Sequence, residues 1–310
     1  MPSLPGVEYK DAHVLRARGP REEVDPFRPV GVFVEEEYSR LGKVERTGTV
    51  LLANRECPFR CLYCDLWKQT TIYRVPGGAI PRQIDLALAE FAAVGPLPRQ
   101  IKLYNAGNFF DAQAIPPEDY VEIIKRVAGF ETVIVENHPK LCGPVVGDFA
   151  RALGTQLEVA LGLETIHPEV LPRLNKRMTL ADFDGACERL KEAGVVVRAF
   201  VIVRPPFLDE AEGVEWAIRS VEHAFARGVD AVSLIPARAG NGLMEELERE
   251  GLFGSPRLGS VEAAFEACLR LGGGRVFVDL WNAGRWMGVE ERAGERVARL
   301  GRMNLSQRVE

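Results

Sequence analysis

From Gly48 onward, short apolar runs alternate with amphipathic stretches. Six runs rich in β-branched residues predict strands: Thr49–Asn54, Ile101–Gly107, Thr132–Asn137, Leu157–Glu164, Val195–Val203 and Asp230–Pro236. Arg275–Trp281 is a last strand-like run. Between them, apolar residues recur at helical spacing. Ile84, Leu88 and Phe91 share one face, as do Tyr120, Ile124 and Val127. Phe183, Cys187 and Leu190 follow the same rule, as do Val214, Ile218, Val221 and Phe225. Thr179 and Asp182 have capping-box spacing ahead of the Phe183 helix.

Six βα units in series predict an α/β fold with a parallel sheet covered by helices. Strands apolar on both faces fit that burial. The pattern leaves a doubly wound open sheet and a barrel both open. In either, chemistry belongs at the C-terminal ends of the strands. Residues 1–46 are rich in Pro and Arg and weakly periodic, and are expected to form an arm packed on the core. The tail from Val289 is helical by composition and rich in arginine.

Composition narrows this further. Of 310 residues, 46% are hydrophobic and 27% charged, which excludes a disordered chain or a disulfide miniprotein. The net charge of -5 gives no global positive field for nucleic acid, so an RNA contact would need a local patch. No apolar run approaches the roughly 18 residues of a membrane helix, and the N-terminus lacks a signal-peptide core. A cytoplasmic protein with no membrane contact is expected. Six cysteines are too few for a disulfide framework, so a tight cysteine group reads as metal-binding or catalytic.

Such a group exists. Cys57, Cys61 and Cys64 lie in Cys57-Pro58-Phe59-Arg60-Cys61-Leu62-Tyr63-Cys64, just after the first predicted strand. Thiolates suit zinc or iron–sulfur clusters. Structural zinc normally takes four protein ligands, and no fourth Cys or His is near.

The CxxxCxxC spacing, with aromatic Tyr63 before the third cysteine, resembles the radical S-adenosylmethionine (radical SAM) superfamily. The resemblance runs from about Gly48 to Leu271. Glu136-Asn137-His138-Pro139, Gly162-Leu163-Glu164-Thr165 and Asn175-Lys176 are similar to the branch of the elongator catalytic subunit. Arg204-Pro205-Pro206-Phe207-Leu208 resembles a run in the radical SAM subunit of archaeosine synthase. His138 and Arg204 stand where those relatives carry Arg and Lys.

The resemblance implies a partial (β/α)6 TIM-like barrel over residues 47–272, with the N-terminal arm and a C-terminal extension, 273–310, closing it. It implies a [4Fe-4S] cluster on Cys57, Cys61 and Cys64, with S-adenosylmethionine on the open iron. Tyr63, Asn105, Gly107, Glu136, Glu164 and Arg204 are the implied cofactor-binding residues. Asn105-Ala106-Gly107 replaces the commoner Gly-Gly-Glu turn for the methionine amino group. Glu164 would take the ribose hydroxyls, and Arg204 the carboxylate, with Arg198 competing.

No catalytic residue is fixed, but His138 is a candidate proton donor and Cys142 a candidate hydrogen-atom donor. Cys187 and Cys268, on apolar helix faces, are expected in the core. Asp65, Asp111, Trp281, Asn282 and Arg285 are candidate substrate contacts, with Trp286 beside them. Trp67 is expected to shield the cluster, and His167 to cap a helix.

The implied reaction is reductive cleavage of S-adenosylmethionine to methionine and a 5′-deoxyadenosyl radical, which abstracts hydrogen from the substrate. A small metabolite or natural product leads as substrate. A tRNA, as for archaeosine synthase, is the alternative, and a non-catalytic metal-binding protein is a third reading. A flavodoxin or ferredoxin is the expected electron donor.

Overall fold

The computed structural model describes residues 8–285 and 290–310. Eight strands form one sheet in sequence order. They are β1 (Gly31–Tyr38), β2 (Val44–Leu51), β3 (Gln100–Tyr104), β4 (Thr132–Asn137), β5 (Gln156–Glu164), β6 (Val196–Val203), β7 (Ala231–Pro236) and β8 (Arg275–Val278). The helices are α1 (Asp11–Ala17), α2 (Ala79–Ala93), α3 (Tyr120–Val127), α4 (Pro144–Leu153), α5 (Val170–Arg173), α6 (Leu180–Glu192), α7 (Glu210–Ala226), α8 (Leu243–Arg249), α9 (Leu258–Leu271) and α10 (Ala293–Ser306). From β2 to β8 every pairing is parallel, and β1 alone runs antiparallel, beside β2.

The sheet curls into a partial barrel. Neighbouring strands lie about 4.8 Å apart, so a flat sheet would hold β1 and β6 roughly 24 Å apart. Instead Arg198 of β6 donates to Glu37 of β1 at 2.7 Å. The Phe33 ring of β1 meets the Trp281 ring, just after β8, at 4.8 Å between centroids. Among the described residues, the two edges share no strand pairing. Side chains join them, and α10 touches both β1 and β8.

The periodicity places the helices well. Ile84 and Phe91 of α2, Phe183 and Cys187 of α6, and Cys268 of α9 are fully buried against the sheet. Gly48 of β2 makes room for Phe91, whose ring a Cβ there would overlap. Thr179 and Asp182 form the capping box of α6.

Two expectations about the first strand change. β2 begins at Val44 and ends at Leu51, because the apolar run continues past the strand into buried Leu52, Ala53 and Asn54. The arm is also more structured than expected, supplying α1 and strand β1. Glu35-Glu36-Glu37 hides that strand in the sequence, since such a run suggests a solvated surface. In fact Glu37 points into the barrel, where Lys102 of β3 and Arg198 neutralise it.

Candidate cluster and cofactor site

The three cysteines lie in the loop that leaves β2 at the C-terminal rim. Three distant segments fasten this loop. Leu62 is fully buried and its N–H donates to the Leu174 carbonyl at 2.9 Å. The Asn241 amide, beyond β7, donates to the Leu62 carbonyl at 2.6 Å. The Asn175 amide donates to the Arg60 carbonyl at 2.6 Å and to Asp11 of α1 at 3.0 Å. Glu56 gathers Arg18, Arg21 and Arg60, tying the N-terminal segment down over the loop. Trp67 is buried, with the Arg18 guanidinium 4.6 Å from its ring centre.

The thiols sit close enough to influence one another. Burial raises the Cys57 pKa. Burial pushes Cys61 up to about 12, with the Cys57 and Glu164 charges adding to it and the Lys176 ammonium opposing. Burial and the two neighbouring cysteines raise Cys64 further. Deprotonating three such thiols together needs a nearby positive charge, which a bound metal supplies.

The loop after β3 closes on Cys57 from the other side. A Cβ on Gly107 would lie 3.4 Å from the Cys57 Cβ, ordinary van der Waals contact, so the loop packs directly against Cys57. Glu136 of β4 shapes this loop. Its carboxylate accepts the Asn105 N–H at 2.7 Å and the amides of Ala106 and Gly107 as well. Ala106 sits at φ 50°, a left-handed conformation that those bonds hold. Asn105 is fully buried, and neither its amide nitrogen nor its oxygen has a partner. Buried polar groups are normally satisfied, so this one calls for a ligand or an ordered water.

Across the rim, β5 shifts register between Gly162 and Glu164. Glu164 adopts φ 67° there and meets Lys176 at 2.6 Å, both buried. Gly162 leaves the space for this pair, since a Cβ would overlap both charged ends. The Tyr63 hydroxyl lies within reach of Glu164 and of Cys61.

The comparisons with known proteins agree. The family described as the radical SAM superfamily matches residues 52–213, more than half of the chain. The chain belongs to the radical SAM superfamily. It is an enzyme of that kind, and its cofactors are a [4Fe-4S] cluster and S-adenosylmethionine. It is 30% identical over 168 residues to archaeosine synthase subunit beta of Methanosarcina acetivorans, covering 52% of this chain and 48% of that one. It thus spans about half the length of that relative. An uncharacterized protein of Methanocaldococcus jannaschii is 22% identical over 253 residues, covering 78% of this chain and 69% of that protein. The fold also matches a radical SAM methyltransferase from Sphaerobacter thermophilus. The TM-score is 0.56 at 18% identity, covering 83% of this chain and 77% of that structure.

Several expected site residues stand elsewhere in this radical SAM barrel. Arg204 adopts φ 57° and directs its guanidinium to Glu210 at 2.7 Å and the Ser255 carbonyl at 2.9 Å. It is held by α7 and the segment before α9, not by the cysteine loop. Arg198 is locked in the lower barrel between Glu37 and Glu158. Lys176 is a cation that acts on Cys57 and Cys61, and no periodicity in the sequence marks it. Glu136, expected among the cofactor-binding residues, accepts backbone N–H groups of the loop after β3 and so positions that loop.

His138 stacks on Phe59 at 3.7 Å. One ring nitrogen meets the Lys176 carbonyl at 3.1 Å and the other accepts the Lys140 N–H at 3.2 Å. Burial and the Lys176 charge push its pKa down to about 3, so it is neutral and fully bonded. That arrangement suits a strut, not a proton donor. Cys142 is buried in the main core and lies 3.7 Å from the His138 carbonyl, so it packs instead of facing the rim. Asp111 accepts the Gln113 N–H in a local turn. His167 caps the start of α5, accepting the Glu169 and Val170 N–H groups.

The remaining substrate candidates gather at the mouth near β8. Arg238, beyond β7, lies 3.9 Å from Asp65 and 3.8 Å from Asp279. The Asp279 carboxylate also accepts the Trp281 N–H. Trp281 and Asn282 are exposed. The Arg285 side chain and Trp286 lie outside the described residues. Among the described residues, no helix is long and apolar enough to cross a membrane.

Proposed function

We propose that Cys57, Cys61 and Cys64 hold the [4Fe-4S] cluster, and that this enzyme abstracts hydrogen from a small metabolite or natural product. The observation that carries the reading is the meeting of three thiols with Lys176, Glu164 and the unpartnered Asn105 around one rim. Among the described residues, no three Cys, His, Asp or Glu converge on a single-ion site. Structural zinc normally takes four protein ligands, and the cysteine loop supplies three.

When bound, the cluster and S-adenosylmethionine supply an electron and a carbon-centred radical that takes hydrogen atoms. The protein's own residues then have separable tasks. Lys176 would offer positive charge to a methionyl carboxylate, and Glu164 would offer acceptor oxygens to hydroxyls. Asn105 offers both a donor and an acceptor that need a partner. Asp65, Arg238, Asp279 and Trp281 line the mouth through which a substrate enters.

The basic tail supports the small-molecule reading. Arg296 and Arg299 of α10 are bound to Glu262, Glu266 and Glu290, and Arg302 to Glu310. Arginines neutralised in this way offer little to a phosphate backbone. One observation favours a tRNA substrate instead, namely the similarity to archaeosine synthase subunit beta.

The test is anaerobic reconstitution with iron and sulfide, then S-adenosylmethionine and dithionite, with 5′-deoxyadenosine quantified by chromatography. The expected result is a dithionite-dependent product that the Cys57→Ala, Cys61→Ala and Cys64→Ala proteins do not form. Product from any of these variants would overturn the ligand assignment. Stimulation by tRNA, with binding that weakens steeply as salt rises, would select the second reading.

A further inference from the structure

We propose that Asn108 sets the reduction potential of the cluster through a hydrogen bond to the Cys57 sulfur. This rests on the reading of Cys57 as a cluster ligand. The Asn108 side-chain nitrogen lies 3.2 Å from Cys57 Sγ. The other donors to the thiols come from within the cysteine loop. They are the Phe59 N–H to Cys57, the Leu66 N–H to Cys64 and the Tyr63 hydroxyl to Cys61. Asn108 instead reaches in from the connection between β3 and α3, a separate part of the barrel.

Its position is fixed on every side. Asn108 is buried, and its carbonyl accepts the Asp111 N–H at 3.2 Å. The next residue, Phe109, donates its N–H to the Glu136 carbonyl at 2.9 Å. The Phe109 ring is wedged among Phe110, Tyr120 and Phe149. Phe110 donates its N–H to the Asn137 side chain at 3.2 Å. The loop packs against Cys57 at Gly107, and Asn108 then supplies the donor at close range.

A donor held this rigidly acts on charge. Reducing the cluster by one electron, from an external one-electron donor, adds a unit of negative charge shared with the thiolate sulfurs. An N–H pointing at one of those sulfurs stabilises the reduced form more than the oxidised form. Hydrogen bonds to sulfur are among the recognised determinants of cluster potential. Removing the amide should therefore make the cluster harder to reduce. Asn108 is thus a positioning residue that acts through Cys57.

The experiment is a redox titration of reconstituted wild-type, Asn108→Leu and Asn108→Asp proteins, followed by electron paramagnetic resonance, with iron counted in each. Gln113→Ala, in the same connection but exposed, is the control. Leu removes the donor, while Asp keeps the shape and replaces the donor with a carboxylate. Both should lower the midpoint, so that the reduced fraction at the wild-type midpoint falls several-fold. A tenfold change corresponds to about 59 mV for one electron. Gln113→Ala should titrate as wild type.

An unchanged midpoint in fully loaded Asn108 variants would overturn the proposal. So would loss of the cluster from both variants with unchanged thermal melts, because Asn108 would then serve assembly alone. Failure of the wild-type protein to bind iron would instead strike the cysteine reading.

Discussion

At the lower end of the barrel, Glu37, Lys102, Glu158, Arg198 and Arg275 bury their charges against one another. Arg198 bonds Glu37 at 2.7 Å and Glu158 at 2.6 Å, and Arg275 adds a second bond to Glu158 at 2.9 Å. At the upper rim the buried polar groups are partnered less completely. Burial raises the pKa of its thiols, and Asn105 keeps a buried amide without partners. Buried ionic groups are tolerable only when paired and hydrogen-bonded. The lower end meets that condition largely from its own side chains, although Arg275 Nη1 is left without a partner. The rim meets it only in part, through Lys176 and Glu164, and leaves the rest for a cofactor. Stability and chemistry are therefore separable along one set of strands.

The sharpest test is a crossed pair of substitutions. Cys57→Ser should abolish iron binding and 5′-deoxyadenosine formation, while changing the urea stability of the cluster-free protein by less than about 1 kcal/mol, because only one half-buried atom becomes smaller. Arg198→Met should do the reverse. It strands Glu37 and Glu158 without their shared partner, which typically costs about 3–5 kcal/mol. Product per folded molecule should survive at low urea. If Arg198→Met loaded no cluster although folded, the two ends would not be separable.

Acid should act on the lower end first. Burial raises the Glu158 carboxyl, but Arg198 and Arg275 outweigh it and hold its pKa below the ordinary 4.5. Glu37 is depressed likewise, burial being outweighed by Arg198 and Lys102. A depressed carboxyl binds fewer protons folded than unfolded, so stability falls as pH falls. That contribution is complete above about pH 4.5 and is lost progressively below it. Urea midpoints measured from pH 6 to pH 3 should decline, and those of Glu158→Gln should start lower but decline less. Parallel curves would remove Glu158 from this role.

Much of this was legible before the structure. β4 spans the residues its apolar run marks, and the buried faces of α2 and α6 follow their spacing. Radical SAM membership rests on cysteine spacing, a local property that sequence displays well. The misses share a physical cause, since each depends on where a polar side chain points. Glu37 looks like a surface charge, and Arg198 like a rival for the cofactor carboxylate, until the curled sheet brings β1 to β6. Arg204 carries the right chemistry, but its left-handed backbone sends it toward Glu210. Lys176 and Asn108 reach the thiols only because separate βα connections converge over one rim. Periodicity records the face of an element, not the meeting of loops.

The smallest predicted effect probes the rim's own ion pair. Gly162 is placed where a methyl group would overlap Glu164 Oε1 and Lys176 Nζ. Both atoms are ends of side chains, so Gly162→Ala should displace the pair and leave the strand intact. Stability should fall by about 1 kcal/mol, the low end for overpacking. If Lys176 and Glu164 contact S-adenosylmethionine, its affinity should fall roughly tenfold, which corresponds to about 1.4 kcal/mol. Titration calorimetry of the reconstituted protein measures this, with Gly129→Ala, which meets nothing within 4 Å, as the control. Unchanged affinity in Gly162→Ala would make the pair a structural lock on the β5 bulge, and Asn105 would then be the nearest remaining contact for the cofactor.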